Sequence, residues 1–113
     1  MLPASNRLRS SKDFSRTTKT GHRATSQLLV IYFLTHAQFQ SDPQVGLIIN
    51  KSVGGSVTRH RIARQLRHAA SEHLKAFPNH TQIVIRVLRK NDDYRADFAE
   101  LISKVVKRSE ANQ

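Results

Sequence analysis

The chain has no cysteine. Disulfides and thiolate metal sites are therefore excluded, and the chain suits a reducing compartment. Long apolar runs are missing too. The longest, Leu28 to Leu34, has seven residues, whereas a bilayer span takes about 20. The first residues, "MLPASNRLRSSKDF", lack the apolar segment of a secretory signal. A cytoplasmic protein without a membrane partner is expected. Acids are scarce, with 8 Asp plus Glu against 19 Lys plus Arg and a formal charge of +11. Self-repulsion of that size opposes compaction and exceeds what solubility needs, so a polyanion is the expected partner, nucleic acid first.

What is present fits one small domain over residues 1–113. Its length allows a modest core, and 38% hydrophobic content argues against disorder. Charge is uneven along the chain. Before residue 42 six basic residues meet one acid, Asp13, while Asp92, Asp93, Asp97 and Glu100 cluster near the C-terminus. One side of the domain is expected to be basic and another closer to neutral.

Residues 1–9 read as a basic, irregular lead-in. Ser10 or Ser11 caps a short helix to about Lys19, stopped at Gly21. The run Gln27 to Thr35 is β-branched and aromatic and reads as a strand. "SDPQ" marks a turn, and "QVGLIINK" reads as a second strand. Segments 27–35 and 45–51 are expected to hold three strands if "VIYFLTH" bends. "SVGGS" leads into a helix capped by Ser56 or Thr58. Its apolar stripe is Ile62, Leu66, Ala69, Ala70, His73, Leu74 and Phe77, ending at Pro78. A strand at Gln82 to Leu88 and a helix from about Tyr94 to Arg108 complete the chain. The order helix, strands, helix, strand, helix predicts an α+β fold, a small sandwich with helices on one side of the sheet.

The stretch "VTRHRIARQLRHA" carries Arg59, Arg61, Arg64 and Arg67 with no acid among them. At about 100° per residue, Arg67, His60, Arg64, Lys75, His68 and Arg61 fall on the side opposite the apolar stripe. This predicts a continuous cationic strip. Guanidinium groups offer planar, bidentate donors that match phosphate oxygens. Arg59 falls on the core side of the first turn and is expected to reach the "NKSVGG" loop or a nucleic acid beside it. Lys51 and the amides around Gly54 and Gly55 offer a phosphate contact at the helix start. A solvated face would normally alternate sign, and here only Glu72 interrupts.

"NKSVGGSVTRHRIARQLRHA" resembles the signature of the protein component of bacterial ribonuclease P: a lysine, a Gly-containing loop, then an Arg-Asn-Arg helix start. The resemblance extends through "NRLRSSKDFSRTTKTGHR", "LLVIYFL", "VGLIINK" and "FAELISKVVKR". The departures are His60 for the family's asparagine, Ala63 and Ser52 for lysines, and Thr18 for a second phenylalanine.

The resemblance implies a three-layer sandwich with a left-handed β-α-β crossover, against the usual hand. It implies that the loop and basic helix (Lys51, Arg59, His60, Arg61, Arg64, Arg67, His68) face the catalytic RNA subunit. It further implies a cleft by the N-terminal helix for the single-stranded 5′ leader of precursor tRNA. Phosphodiester hydrolysis would lie with the RNA and Mg²⁺, leaving no catalytic residue or resident cofactor on the protein.

The residues themselves suggest what would line that cleft. Phe14, on a polar helix beside Arg9, Lys12 and Arg16, resembles a stacking platform for unpaired bases or else an anchor for the helix. Tyr32 and Arg86 are candidates on the sheet side.

Other chemistry is poorly supported. Asp92 and Asp93 form a carboxylate pair but precede a helix, where acids favour the macrodipole. The six histidines lack closed metal-ligand spacing, and no small-molecule substrate is expected. A ribosomal-type RNA-binding module without an enzymatic role is the alternative. A helix-turn-helix DNA binder needs two adjacent helices, whereas the basic helix lies between strands.

Overall fold

Strands with apolar residues on both faces need cover on both, and this requirement organises the molecule. The computed structural model describes residues 2–111. Its elements are α1 (Ser11–Thr20), β1 (His22–Thr25), β2 (Leu29–Thr35), β3 (Gln44–Ile48), α2 (Ser56–Glu72), β4 (Thr81–Val87) and α3 (Arg95–Ala111). The sheet order is β1-β2-β4-β3, with β1/β2 and β2/β4 antiparallel and β3/β4 parallel. Parallel neighbours need a crossover, and α2 supplies it. The expected α+β class with a β-α-β crossover is present.

Alternate residues of the sheet face opposite ways. Leu29, Ile31 and Phe33 of β2 and Ile83, Ile85 and Val87 of β4 share one core with Ile62, Leu66, Ala69 and Ala70 of α2. Phe98, Leu101, Ile102 and Val105 of α3 close it. The other face meets α1: Thr17 donates to Gln82 Oε1 at 3.4 Å, and the Phe14 ring lies over Gly46. Helices therefore cover both faces, correcting the one-sided expectation. Polar α1 has too few apolar residues to announce that it covers anything. Leu66 is fully buried, so Leu66→Ala is expected to cost about 2–5 kcal/mol in denaturant unfolding.

Four local features differ from the sequence reading. The extra strand is β1, which precedes the apolar run instead of lying within 27–51; only Ala24 of its four residues is buried, so no alternation marks it. The cap of α2 is Gly55, with no side chain bonding the first turn, in place of the expected Ser56 or Thr58. α2 ends at Glu72; Leu74–Ala76 forms a 3₁₀ turn that delivers Phe77 to the core. His73 at that junction sits with Nδ1 2.9 Å from Ala69 O and its ring 5.5 Å from that of Phe98.

The lead-in is not irregular. A 3₁₀ turn spans Ala4–Asn6, Leu2 and Leu8 are buried, Asn6 Nδ2 donates to Pro43 O at 2.8 Å, and Leu8 N–H donates to Val45 O at 2.9 Å. Arg7 thereby pairs in parallel with Val45 beyond β3.

α1 follows expectation. Ser10 Oγ accepts from the Asp13 amide at 3.5 Å, and Gly21 N–H donates to Thr17 O at 3.0 Å. A Cβ at Gly21 would lie 2.5 Å from Thr17 O and 2.6 Å from Phe33 O, so the turn from α1 into β1 requires glycine. Among the described residues no helix is long and apolar enough to cross a membrane.

Candidate nucleic-acid interface

α2 turns its apolar stripe into the core, and the same geometry presents its arginines outward. Arg61, Arg64, His60 and His68 are exposed and Arg67 is half-buried. Among the described residues no carboxylate lies within 4.0 Å of Arg61, Arg64 or Arg67; the carboxylate contact on this face is Glu72 with His68 Nε2 at 2.8 Å. Arg59 reaches the adjoining loop, its Nε donating to Gly54 O at 3.2 Å. Lys51 is exposed at the start of that loop.

Four acids elsewhere are occupied. Asp13 pairs with Arg16, Glu100 with Lys104, and Asp97 accepts from Ser26 Oγ at 2.6 Å. Asp93 takes the Arg95 amide at 2.9 Å and its guanidinium at 3.1 Å. The Arg95 side chain holds the Asp93 carboxyl below its ordinary range. The Asp92–Asp93 pair therefore starts a helix. Next to it, burial pushes the Tyr94 hydroxyl up; the hydroxyl donates to Arg89 O at 2.9 Å.

The second candidate region is the sheet face beneath α1. Gly46, Val84 and Tyr32 are register partners in one row, and Ile48, Arg86 and Val30 form the next. Phe14 sits over Gly46; a Cβ there would lie 2.3 Å from Phe14 Cζ. Tyr32 stands two strands away, about 10 Å across the sheet, with buried Val84 between them. The Arg86 guanidinium carbon lies 5.7 Å from the Tyr32 ring centroid, a cation–π contact, and its buried Nε has no hydrogen-bond partner among the described residues. Phe14, Tyr32 and Arg86 thus share one face. Phe14 is both anchor and half-exposed ring.

Arg16 does not join them. It bonds Asp13 at 2.5 Å and Gln82 at 3.2 Å and lies 4.7 Å over the Phe39 ring. Gln82 is four residues from Arg86 on β4, about 13 Å away. Its polar partners, Asp13 on α1 and Gln82 on β4, hold Arg16 toward the other end of β4 from Arg86. Arg9 and Lys12 are exposed at the start of α1.

Two cations were missed by the sequence reading. Arg7 lines a basin of about 530 Å³ with His60, Arg64, Arg67 and His68. Its pairing with Val45 puts it there, which no local pattern signals. Arg23 pairs with Tyr32 across β1 and β2 and so faces the same side of the sheet as Tyr32. Recognising β1 would have found it.

A sheet with helices on both faces, a strip of cations on the crossover helix with no carboxylate partner among the described residues, and Phe14, Tyr32 and Arg86 on the reverse face define a small basic α+β protein with a polyanion-binding surface. The chain belongs to the ribonuclease P protein family, whose model matches residues 2–110. It is 39% identical over 101 residues to the ribonuclease P protein component of Acidothermus cellulolyticus, covering 89% of this chain and 82% of that one. With the component from Mycobacterium tuberculosis it shares 46% over 88 residues, 78% and 74% of the two chains. The Staphylococcus aureus RNase P protein superposes with a TM-score of 0.75 at 21% identity, covering 92% of this chain and 94% of that one.

Proposed function

We propose that the chain is the RNA-binding subunit of a tRNA 5′-processing ribonuclease. In this reading α2 and the Lys51 loop dock the catalytic RNA, and the Phe14–Tyr32–Arg86 face takes the single-stranded leader of precursor tRNA. The observation that carries it is the lack of any carboxylate within 4.0 Å of Arg61, Arg64 and Arg67 among the described residues. Cations that served only stability would be expected to gather local counter-charges. The first amides of α2 lack a side-chain cap; with Lys51 beside them they favour an RNA phosphate.

The protein's own part is to bind and orient. Its arginines offset phosphate repulsion, and the aromatic rings hold unpaired bases by stacking. In this reading hydrolysis of the phosphodiester belongs to the RNA, and Mg²⁺ bound with it would supply the positive charge for that chemistry.

The direct test mixes this chain with the RNA subunit and a 5′-extended tRNA at low Mg²⁺. Cleavage at the mature 5′ end that requires the protein supports the proposal. No rescue would favour a binding module without an enzymatic role.

A further inference from the structure

The strip on α2 borders a second feature that phosphate binding does not explain. Between α2 and β3 lies a groove of about 280 Å³. Leu47, Ile49 and Ala63 line it with apolar surface, while Arg59, His60 and Arg67 bring polar groups to it. Leu47 and Ile49 are only half-buried. A nucleic-acid backbone presents anionic oxygens and gains nothing from aliphatic side chains. An unpaired base does, because its faces are apolar and RNA-binding proteins hold such bases on histidine, aromatic or guanidinium planes.

His60 and Arg67 also line the neighbouring basin with Arg7, Arg64 and His68. They are seven residues apart on one side of the helix and form a ridge between an apolar groove and a cationic basin. A nucleotide straddling that ridge would place its base on one side and its phosphate on the other. His60 and Ala63 both line the groove. The small Ala63 side chain leaves its apolar surface open, and His60 adds a ring beside it.

We infer that this groove receives an unpaired nucleobase of the RNA docked on α2, stacked on the His60 ring, with its phosphate held by Arg64 and Arg67. The inference rests on the proposed docking of RNA to α2 and adds a base-recognition site to it.

The test compares His60→Phe, His60→Ala and His60→Lys at pH 8, above the ordinary titration range of histidine. Affinity of each full chain for the RNA subunit is measured across a salt series, with circular dichroism confirming the fold. Stacking predicts that His60→Phe binds within about twofold of wild type, whereas His60→Ala and His60→Lys each lose about tenfold, the scale of one base–aromatic stack. Base-specific chemical probing should show one unpaired base shielded in the wild-type and Phe complexes and reactive in the Ala complex.

A purely electrostatic strip predicts the reverse order: His60→Lys would bind as tightly as wild type or tighter. That result, or an equal loss in His60→Phe and His60→Ala, overturns the inference. Arg64→Ala with Arg67→Ala separates the two levels. If that pair leaves assembly unchanged, the docking reading itself fails. If it weakens assembly while all three His60 variants bind normally, only the base site in the groove falls.

Discussion

Replacing Arg64 and Arg67 together by alanine is expected to weaken assembly with the RNA subunit by roughly thirtyfold, about 2 kcal/mol. Each guanidinium contributes about 1 kcal/mol, below the usual value for charge-assisted hydrogen bonds because Arg64 is exposed and Arg67 only half-buried. The salt dependence carries more information than the affinity. Every phosphate that the variant leaves unneutralised keeps about one counterion, so the slope of log K against log salt should fall by one to two. Stability should hardly change, since neither side chain has a carboxylate partner among the described residues. Weaker affinity with an unchanged slope would point to misfolding. Unchanged affinity and slope would mean that RNA docks elsewhere.

The second large effect belongs to the reverse face. Phe14→Ala should weaken binding of precursor tRNA by about tenfold, as removal of one stacked base implies, and leave mature tRNA binding unchanged. Gly46→Val tests the same ring without removing it. The added Cβ would sit 2.3 Å from Phe14 Cζ and 2.6 Å from Cε1, so the ring must leave its seat on the sheet. Precursor preference should fall in both variants. Equal losses for precursor and mature tRNA would remove the leader cleft from the account. Tyr32→Ala should act in the same sense, because it frees Arg86 from its cation–π contact as well.

The parts legible in the sequence were those carried by strong local periodicity. The stripe of Ile62, Leu66, Ala69 and Ala70 names the inner side of α2, and the arginines then have only one place to go. Ser10 and Gly21 mark both ends of α1 for the same local reason. What stayed hidden depends on pairing at a distance. β1 has one buried residue and owes its existence to β2 beside it. Arg7 joins the strip only because the lead-in pairs with β3. Arg16 looked like a cleft cation until Gln82 and Phe39, both remote in sequence, turned it aside. The groove below His60 needs β3 and α2 together, so no helix projection could reveal it.

The absence of cysteine permits a clean measurement of where RNA lies. A single cysteine at Val57, which is 72% exposed on the cationic side of α2, can carry an iron chelate that cuts nearby RNA by hydroxyl radicals. A second variant carries the same probe at exposed Ser103 on α3. Docking through α2 predicts strong, localised strand scission in the RNA subunit from position 57 and little from position 103. Scission from position 103 with none from position 57 would contradict it.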